Sequence, residues 1–295
     1  AKLLQSVSRC HPNVTIDIAC RESAREVFEL MPPVGKVSPY PLELHELRSF
    51  DAHLSFEDIE NITGAANMPL SQVFSRCLRI PRATHLEKVE FTTSDGKDVP
   101  IPSVDRPIVG LHAGTPGDVR TYPWALLQLV AQELIDRGFA AIFFGHHDLS
   151  DLSNLSNLSD SLGVNAPAEQ QGPKPQYDFR GCTADAGELM NLFGRMDAIL
   201  TNDSFPMHLA GMMEIPTVTV FTASTPLVAQ DYPTVQPAVS GVECAPCHQT
   251  TGRCPMGHAA CVAHDAELLR PAALASMLES QWKSATSHQR AADIA

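Results

Sequence analysis

At 295 residues the chain is long enough to bury a substantial core, and its length fits about two domains. It is 44% hydrophobic and 19% charged, an ordinary globular composition, and no run of about 18 apolar residues is available to span a membrane. The formal charge of −13 argues against a nucleic-acid partner, which needs a basic face, but leaves room for a phosphorylated small ligand. Such a ligand needs only one or two cations and some backbone N–H groups. Residues 1–7 lack the charged head and apolar stretch of a signal peptide, so cytosol is the expected compartment.

Residues 1–9 (AKLLQSVSR) read as a helix, with Leu3, Leu4 and Val7 at helical spacing, broken by His11, Pro12 and Asn13. Residues 14–20 (VTIDIAC) have the β-branched content of a strand. Residues 21–31 read as a second helix, stopped at Met31-Pro32-Pro33. Residues 81–107 are rich in Pro, Asp and Thr and read as a short substructure and a linker. A second series begins with a strand at 108–111 and an amphipathic helix at 124–137 that Gly138 closes. A buried strand at 139–144 ends at Gly145. The repeat LSNLSNLSD within 149–162 reads as a solvated loop without chemistry. Helix is then expected at 188–196 and 208–213, strand at 198–201 and 217–221, and a frayed tail from Ser284 to Ala295.

This βα rhythm is that of doubly wound parallel sheets, with two α/β halves split near residue 105. Ligands bind such sheets at the carboxyl ends of strands, so the polar residues just after strands are the candidates. In His112-Ala113-Gly114-Thr115-Pro116-Gly117-Asp118-Val119-Arg120, glycines allow close backbone approach and Arg120 offers a planar fork for phosphate oxygens. Gly-rich turns after strands are common, so this segment alone has a bland reading too. Thr201-Asn202-Asp203-Ser204-Phe205-Pro206-Met207-His208 joins a strand to a helix whose first amides can bind an anion. Asp203 could equally be a helix cap and His208 a satisfied helix histidine.

Eight cysteines are present. Cys10, Cys20, Cys77 and Cys182 read as small buried apolar residues. Cys244, Cys247, Cys254 and Cys261 are clustered, with His248, His258 and His264 among them. Two thiolates of a C-x2-C pair can bite one cation and two more complete a tetrahedron, which points to a structural zinc or iron. Reduced thiols or two disulfides are the alternatives, and an otherwise cytosolic-looking chain favours metal.

Taken in order, these segments resemble glycosyltransferase family 9, the lipopolysaccharide heptosyltransferases. VGLHAGTPGDVRTYP is similar to the family's first strand and basic turn of the C-terminal domain. YDFRGCTADAGELMNLFGRMDAILTNDSFPMHLAGMMEIPTVTVF resembles the stretch from "L-x-G-x-T" through "D-S-G-x-x-H-x-A" to "P-x-V-x-L-F-G". CAPCHQTTGRCPMGHAAC resembles the cysteine tail of the heptosyltransferase II branch. The resemblance implies an α/β GT-B fold of two Rossmann-like domains, 1–105 on the acceptor side and 106–295 on the donor side. It implies an inverting transferase that takes heptose, or a related sugar, from an ADP-sugar to a saccharide or protein acceptor, as in lipopolysaccharide-core synthesis. Asp203 and Ser204 would lie against the donor's diphosphate or sugar, with His208 behind them. Arg120 would stabilise the leaving diphosphate, and His112, Gly114, Thr115, Thr183 and Glu188 would be further donor contacts. No organic cofactor is implied, and a lipid-linked acceptor would be compatible with peripheral attachment to the inner membrane face.

Three departures qualify the resemblance. Phe205 stands where the family often has Gly, and Arg120 where it often has Lys. The family's N-terminal "G-x-G-D" loop, whose Asp is its general base, has no counterpart in these residues. No base is therefore named, which leaves open whether this chain turns donor over or only binds it. A UDP- or GDP-sugar donor, or a non-catalytic nucleotide-sugar-binding scaffold, are the competing readings.

Overall fold

The computed structural model describes residues 2–56, 68–78, 89, 91, 99, 101, 103–114, 120–145, 177–247, 254–257, 260–262 and 269–294. Thr115, most of the 81–107 linker, the Leu-Ser-Asn repeat and His248, His258 and His264 lie outside them. The chain divides into two compact units. The first holds Ala1–Asp98 with Asp185–Asn191 and Leu227–Asp231, and the second holds the remainder.

The first unit opens with α1 (Lys2–Cys10), β1 (Ile16–Cys20), α2 (Glu22–Glu29) and β2 (Val34–Pro39). β1 and β2 pair in parallel, from Ile16 opposite Val34 to Cys20 opposite Pro39, with α2 as the crossover packed on both. Parallel strands need such a crossover, which is why the helix lies between them in sequence. Two short helices follow, α3 (Leu44–Leu47) and α4 (Leu70–Leu78).

The second unit is a six-stranded sheet, parallel in every pairing. In chain order it holds β3 (Ile108–His112), α5 (Trp124–Asp136), β4 (Ala140–Phe144) and β5 (Tyr177–Asp178). Then come α6 (Ala186–Phe193), β6 (Ala198–Asn202), α7 (Phe205–Met212), β7 (Thr217–Phe221), β8 (Val235–Val239) and α8 (Pro271–Ile294). The first six residues of α6 group with the first unit, and Leu192 and Phe193 with the second. Spatial order is β5-β4-β3-β6-β7-β8, so the chain grows outward from β3 in one direction, then returns to β6 and grows in the other.

All five residues of β4, β6 and β7 are buried, as expected of a parallel sheet covered on both faces. Val109, Leu111, Ala141, Phe143, Leu200, Val218 and Val220 face α5 and α8, whose Leu127, Val130, Leu134, Leu274 and Leu278 complete one core. On the other face Phe144 meets Phe193 edge-on at 5.1 Å, and Gly110 leaves room for Met196. A Cβ at Gly110 would collide with the Met196 sulfur and stand 3.2 Å from the Phe144 ring.

Several sequence expectations shift. α6 starts two residues early because the Asp185 carboxylate accepts the Glu188 amide at 2.7 Å and caps the helix. α7 starts at Phe205 because Pro206 sits in the first turn, where its missing N–H costs nothing. The tail expected to fray from Ser284 is helical to Ile294. From Ala272 onward α8 has no Gly or Pro, Trp282 stacks edge-on against Phe139, and Lys283 pairs with Glu279 at 2.5 Å. Cys10 and Cys182 are exposed, and Cys20 and Cys77 only partly buried, so none of the four is a core cysteine. Cys10 ends α1 just before the polar His11-Pro12-Asn13 break, and Cys182 lies in the turn after β5, whose Gly181 has φ +70°.

Candidate functional site

β3 and β6 are neighbours in register, with Val109 opposite Ala198 and Leu111 opposite Leu200. Connections leave β3 toward one sheet edge and β6 toward the other, so their carboxyl ends flank the point where strand order reverses. Chain leaving adjacent strands in opposite directions opens a crevice there, the usual ligand position in such sheets.

His112 is the last residue of β3, only 6% exposed, and its Nδ1 lies 3.3 Å from the Thr201 hydroxyl of β6. Its ring stacks on Phe144 with centroids 5.3 Å apart. Gly145, at φ +110°, makes room for it: a Cβ there would stand 2.9 Å from His112 Cδ2. Gly114, two residues on, is buried. The Asn202 side chain accepts the Tyr122 amide at 3.1 Å, joining the loop after β3 to the end of β6. Tyr122 donates its hydroxyl to the Leu269 carbonyl at 2.6 Å, and burial pushes its phenol well above its ordinary range.

Arg120 donates from Nη1 to the Asp203 carbonyl at 3.3 Å, while its buried Nε has no acceptor among the described residues. A buried guanidinium N–H without an acceptor is costly, so the group is better satisfied by an anion. Ser204 is the N-cap of α7, but its hydroxyl turns back to the Asn202 carbonyl at 3.3 Å and makes no cap bond. Asp203 and Ser204 are partly buried, and Phe205 is 40% exposed at the first position of the helix. His208, one turn further, pairs through Nδ1 with the Tyr232 hydroxyl at 3.0 Å.

The structure therefore brings His112 to Thr201 and Arg120 to Asp203, two contacts across adjacent strand ends. Thr183 is partly buried in the turn after β5, where Arg180 clasps Asp178 at 2.6 Å and lies 4.5 Å over the Trp124 ring. Glu188 lies on α6 in the segment grouped with the first unit. Asn202, Gly145 and Tyr232 were missed by sequence reasoning. Asn202 lies within the segment 201–208 already singled out, though without a role of its own, whereas Tyr232 lies 24 residues from its partner and carries no local signal.

A protein-family model, glycosyltransferase family 9 (heptosyltransferase), matches residues 67–258. The chain belongs to that family. It is a glycosyltransferase of the family 9 type, and its α/β fold is that of the GT-B heptosyltransferases. ADP-heptose lps heptosyltransferase II of E. coli is similar over 97% of this chain and 94% of its own, at TM-score 0.64 and 17% identity. The dodecameric iron-containing heptosyltransferase TibC of enterotoxigenic E. coli, in complex with ADP-D-beta-D-heptose, is similar over 96% and 72%, at TM-score 0.64 and 14% identity. E. coli heptosyltransferase WaaC with ADP follows at TM-score 0.55 and 11% identity, over 95% and 94%. No curated protein matches by sequence.

The four clustered cysteines fit a metal by chemistry more than by placement. Among the described residues no three His, Cys, Asp or Glu side chains are gathered as a metal-holding group. Cys261 is nonetheless close enough to the other three thiols to feel them. Burial, and then Cys254, Cys244 and Cys247, push the Cys261 thiol up from 9.0 to about 11. Mutual repulsion of this kind is what a cation among the thiolates would relieve. No helix among the described residues is long and apolar enough to cross a membrane.

Proposed function

We propose that this glycosyltransferase transfers heptose, or a closely related sugar, from an ADP-sugar to a saccharide or protein acceptor with inversion. Residues 106–295 would hold the donor and residues 1–105 would read the acceptor. The observation that carries the reading is the link from Arg120 to Asp203 beside the link from His112 to Thr201, both at the reversal of strand order. Negative charge grows on the departing diphosphate as the glycosidic bond breaks, so a fixed cation and helix amides lower the barrier. Arg120 supplies the cation, and the first turn of α7 after Ser204 supplies the dipole. The Asp203 carboxylate would repel a phosphate and is suited to accept a sugar hydroxyl. His112, Gly114 and Thr183 would be further donor contacts, and Thr115, outside the described residues, would be another. Cys244, Cys247, Cys254 and Cys261 would hold a structural zinc or iron, leaving no ligand position open for chemistry. Structural relatives that hold ADP, ADP-heptose and iron support both choices.

Calorimetry with ADP, ADP-heptose, UDP and GDP tests this. ADP should bind selectively, and Arg120→Ala should weaken it about tenfold or more, the loss of a charge-assisted contact. Asp203→Ala should weaken ADP-heptose more than ADP. Selective UDP or GDP binding would replace the donor, and no binding by any nucleotide in folded protein would remove the donor site.

A further inference from the structure

Tyr232 precedes β8, outside every motif noted above, yet it is built into α7. Its hydroxyl lies 3.0 Å from His208 Nδ1, and the two rings meet edge-on with centroids 5.7 Å apart. The ring rests against the helix backbone at Gly211, where a Cβ would collide with Tyr232 Cγ and stand 2.6 Å from Cδ1. Glycine weakens a helix, and here the missing Cβ is what lets the phenol reach His208. Helical side chains lean toward the N-terminus, so His208 overlies the turn that begins at Ser204.

We propose that Tyr232 is a positioning residue that donates its hydroxyl to His208 Nδ1 and so holds the imidazole as the Nε2–H tautomer, a hydrogen-bond donor for a diphosphate oxygen of the donor substrate. This rests on the reading of the first turn of α7 as the anion end of the site. A phenol is a good donor and its oxygen, conjugated with the ring, a poor acceptor, whereas a neutral imidazole nitrogen is the strongest neutral acceptor among side chains. The bond therefore favours O–H to Nδ1, which leaves the single ring proton on Nε2. Without it a neutral histidine can move its proton to Nδ1 and present a lone pair, which repels a phosphate oxygen. Protonated imidazole carries hydrogen on both nitrogens, so Tyr232 matters only above the imidazole's titration.

β6 and β7, which pack on α7, carry no titratable side chain. Asp203 precedes the helix, with its carbonyl held by Arg120. Asp231, next to Tyr232 in sequence, has its carboxylate taken by the amide and hydroxyl of Ser71.

Nitrogen-15 NMR of ligand-free protein and ADP titration of Tyr232→Phe test the proposal separately. At about pH 8, His208 should show a protonated Nε2 and an unprotonated, accepting Nδ1 in wild type, and a tautomer mixture in Tyr232→Phe. The variant should bind ADP about tenfold more weakly than wild type at about pH 8, and less than about twofold more weakly at a lower pH at which the same NMR shows both ring nitrogens of His208 protonated. A wild-type Nδ1–H tautomer overturns the proposal whatever ADP does. So does a variant defect of equal size at both pH values, the mark of mere packing loss. Failure of wild type to bind ADP removes the donor-site reading, and the NMR result then still decides the tautomer.

Discussion

Cys261 feels its surroundings more than its sequence neighbours would suggest. Burial is the main cause of its raised thiol, and three nearby sulfurs add to it. Below about 9 the folded and unfolded chains both keep this proton. Between 9.0 and about 11 the unfolded chain releases it while the fold retains it. Stability should therefore fall across that window and level off above it. In chelator-treated protein, alkylation of Cys261 should remain slow until the pH nears about 11, while the exposed Cys247 reacts first. Loading zinc or iron near neutral pH should release protons and protect all four thiols, because a metal takes the thiolate. Mass spectrometry that finds Cys261 labelled at neutral pH as fast as Cys247 would contradict this picture. Single residues were the most uneven scale to read in advance. Arg120 and Asp203 stood out as polar groups after strands, but Gly145 did not, because its purpose is to make room for a ring 33 residues earlier.

At the level of elements, strands with apolar or β-branched runs were legible, β1 among them, and those broken by glycine or proline were not. IVGL, FAAIFF and TVTVF announce themselves as apolar or β-branched runs. β2 (VGKVSP) and β8 (VQPAV) contain a glycine or a proline, which argue against a strand in local sequence. β8 tolerates Pro237 because it is the edge of the sheet, where one side of the strand needs no N–H donor. β7 alternates Thr and Val as a half-exposed strand would, yet both faces are covered. Thr217 is satisfied by the Ile215 carbonyl at 2.8 Å, and the buried Thr219 hydroxyl has no partner among the described residues. Gly110 makes the tightest demand on this sheet. Gly110→Ala would drive a methyl group into Met196 and Phe144, and should cost about 1–3 kcal/mol, as overpacking does. Chemical denaturation should show the midpoint fall with an unchanged slope, and an unchanged midpoint would mean that Met196 relaxes freely.

For the whole molecule, topology rather than any one motif assembles the site. Sequence places His112 and Thr201 almost ninety residues apart, and nothing local says that β3 and β6 are adjacent. Their adjacency appears only in the strand order β5-β4-β3-β6-β7-β8. A ligand at the reversal point should therefore be felt at several sequence-distant places and spare the remote parts of the fold. A ligand at about a hundred times its dissociation constant stabilises the state that binds it by about 2.7 kcal/mol. With ADP at that level, hydrogen exchange should slow at the Tyr122 amide, which Asn202 holds, and at the amides of α7. The strands β1 and β2 of the first unit should exchange at unchanged rates, since the diphosphate reading gives ADP no contact there. Protection confined to β1 and β2 would put the nucleotide in the other unit and undo the donor-side assignment. Protection at Tyr122 and α7 together would mean that one ligand reports to both strand ends, which neither segment could achieve alone.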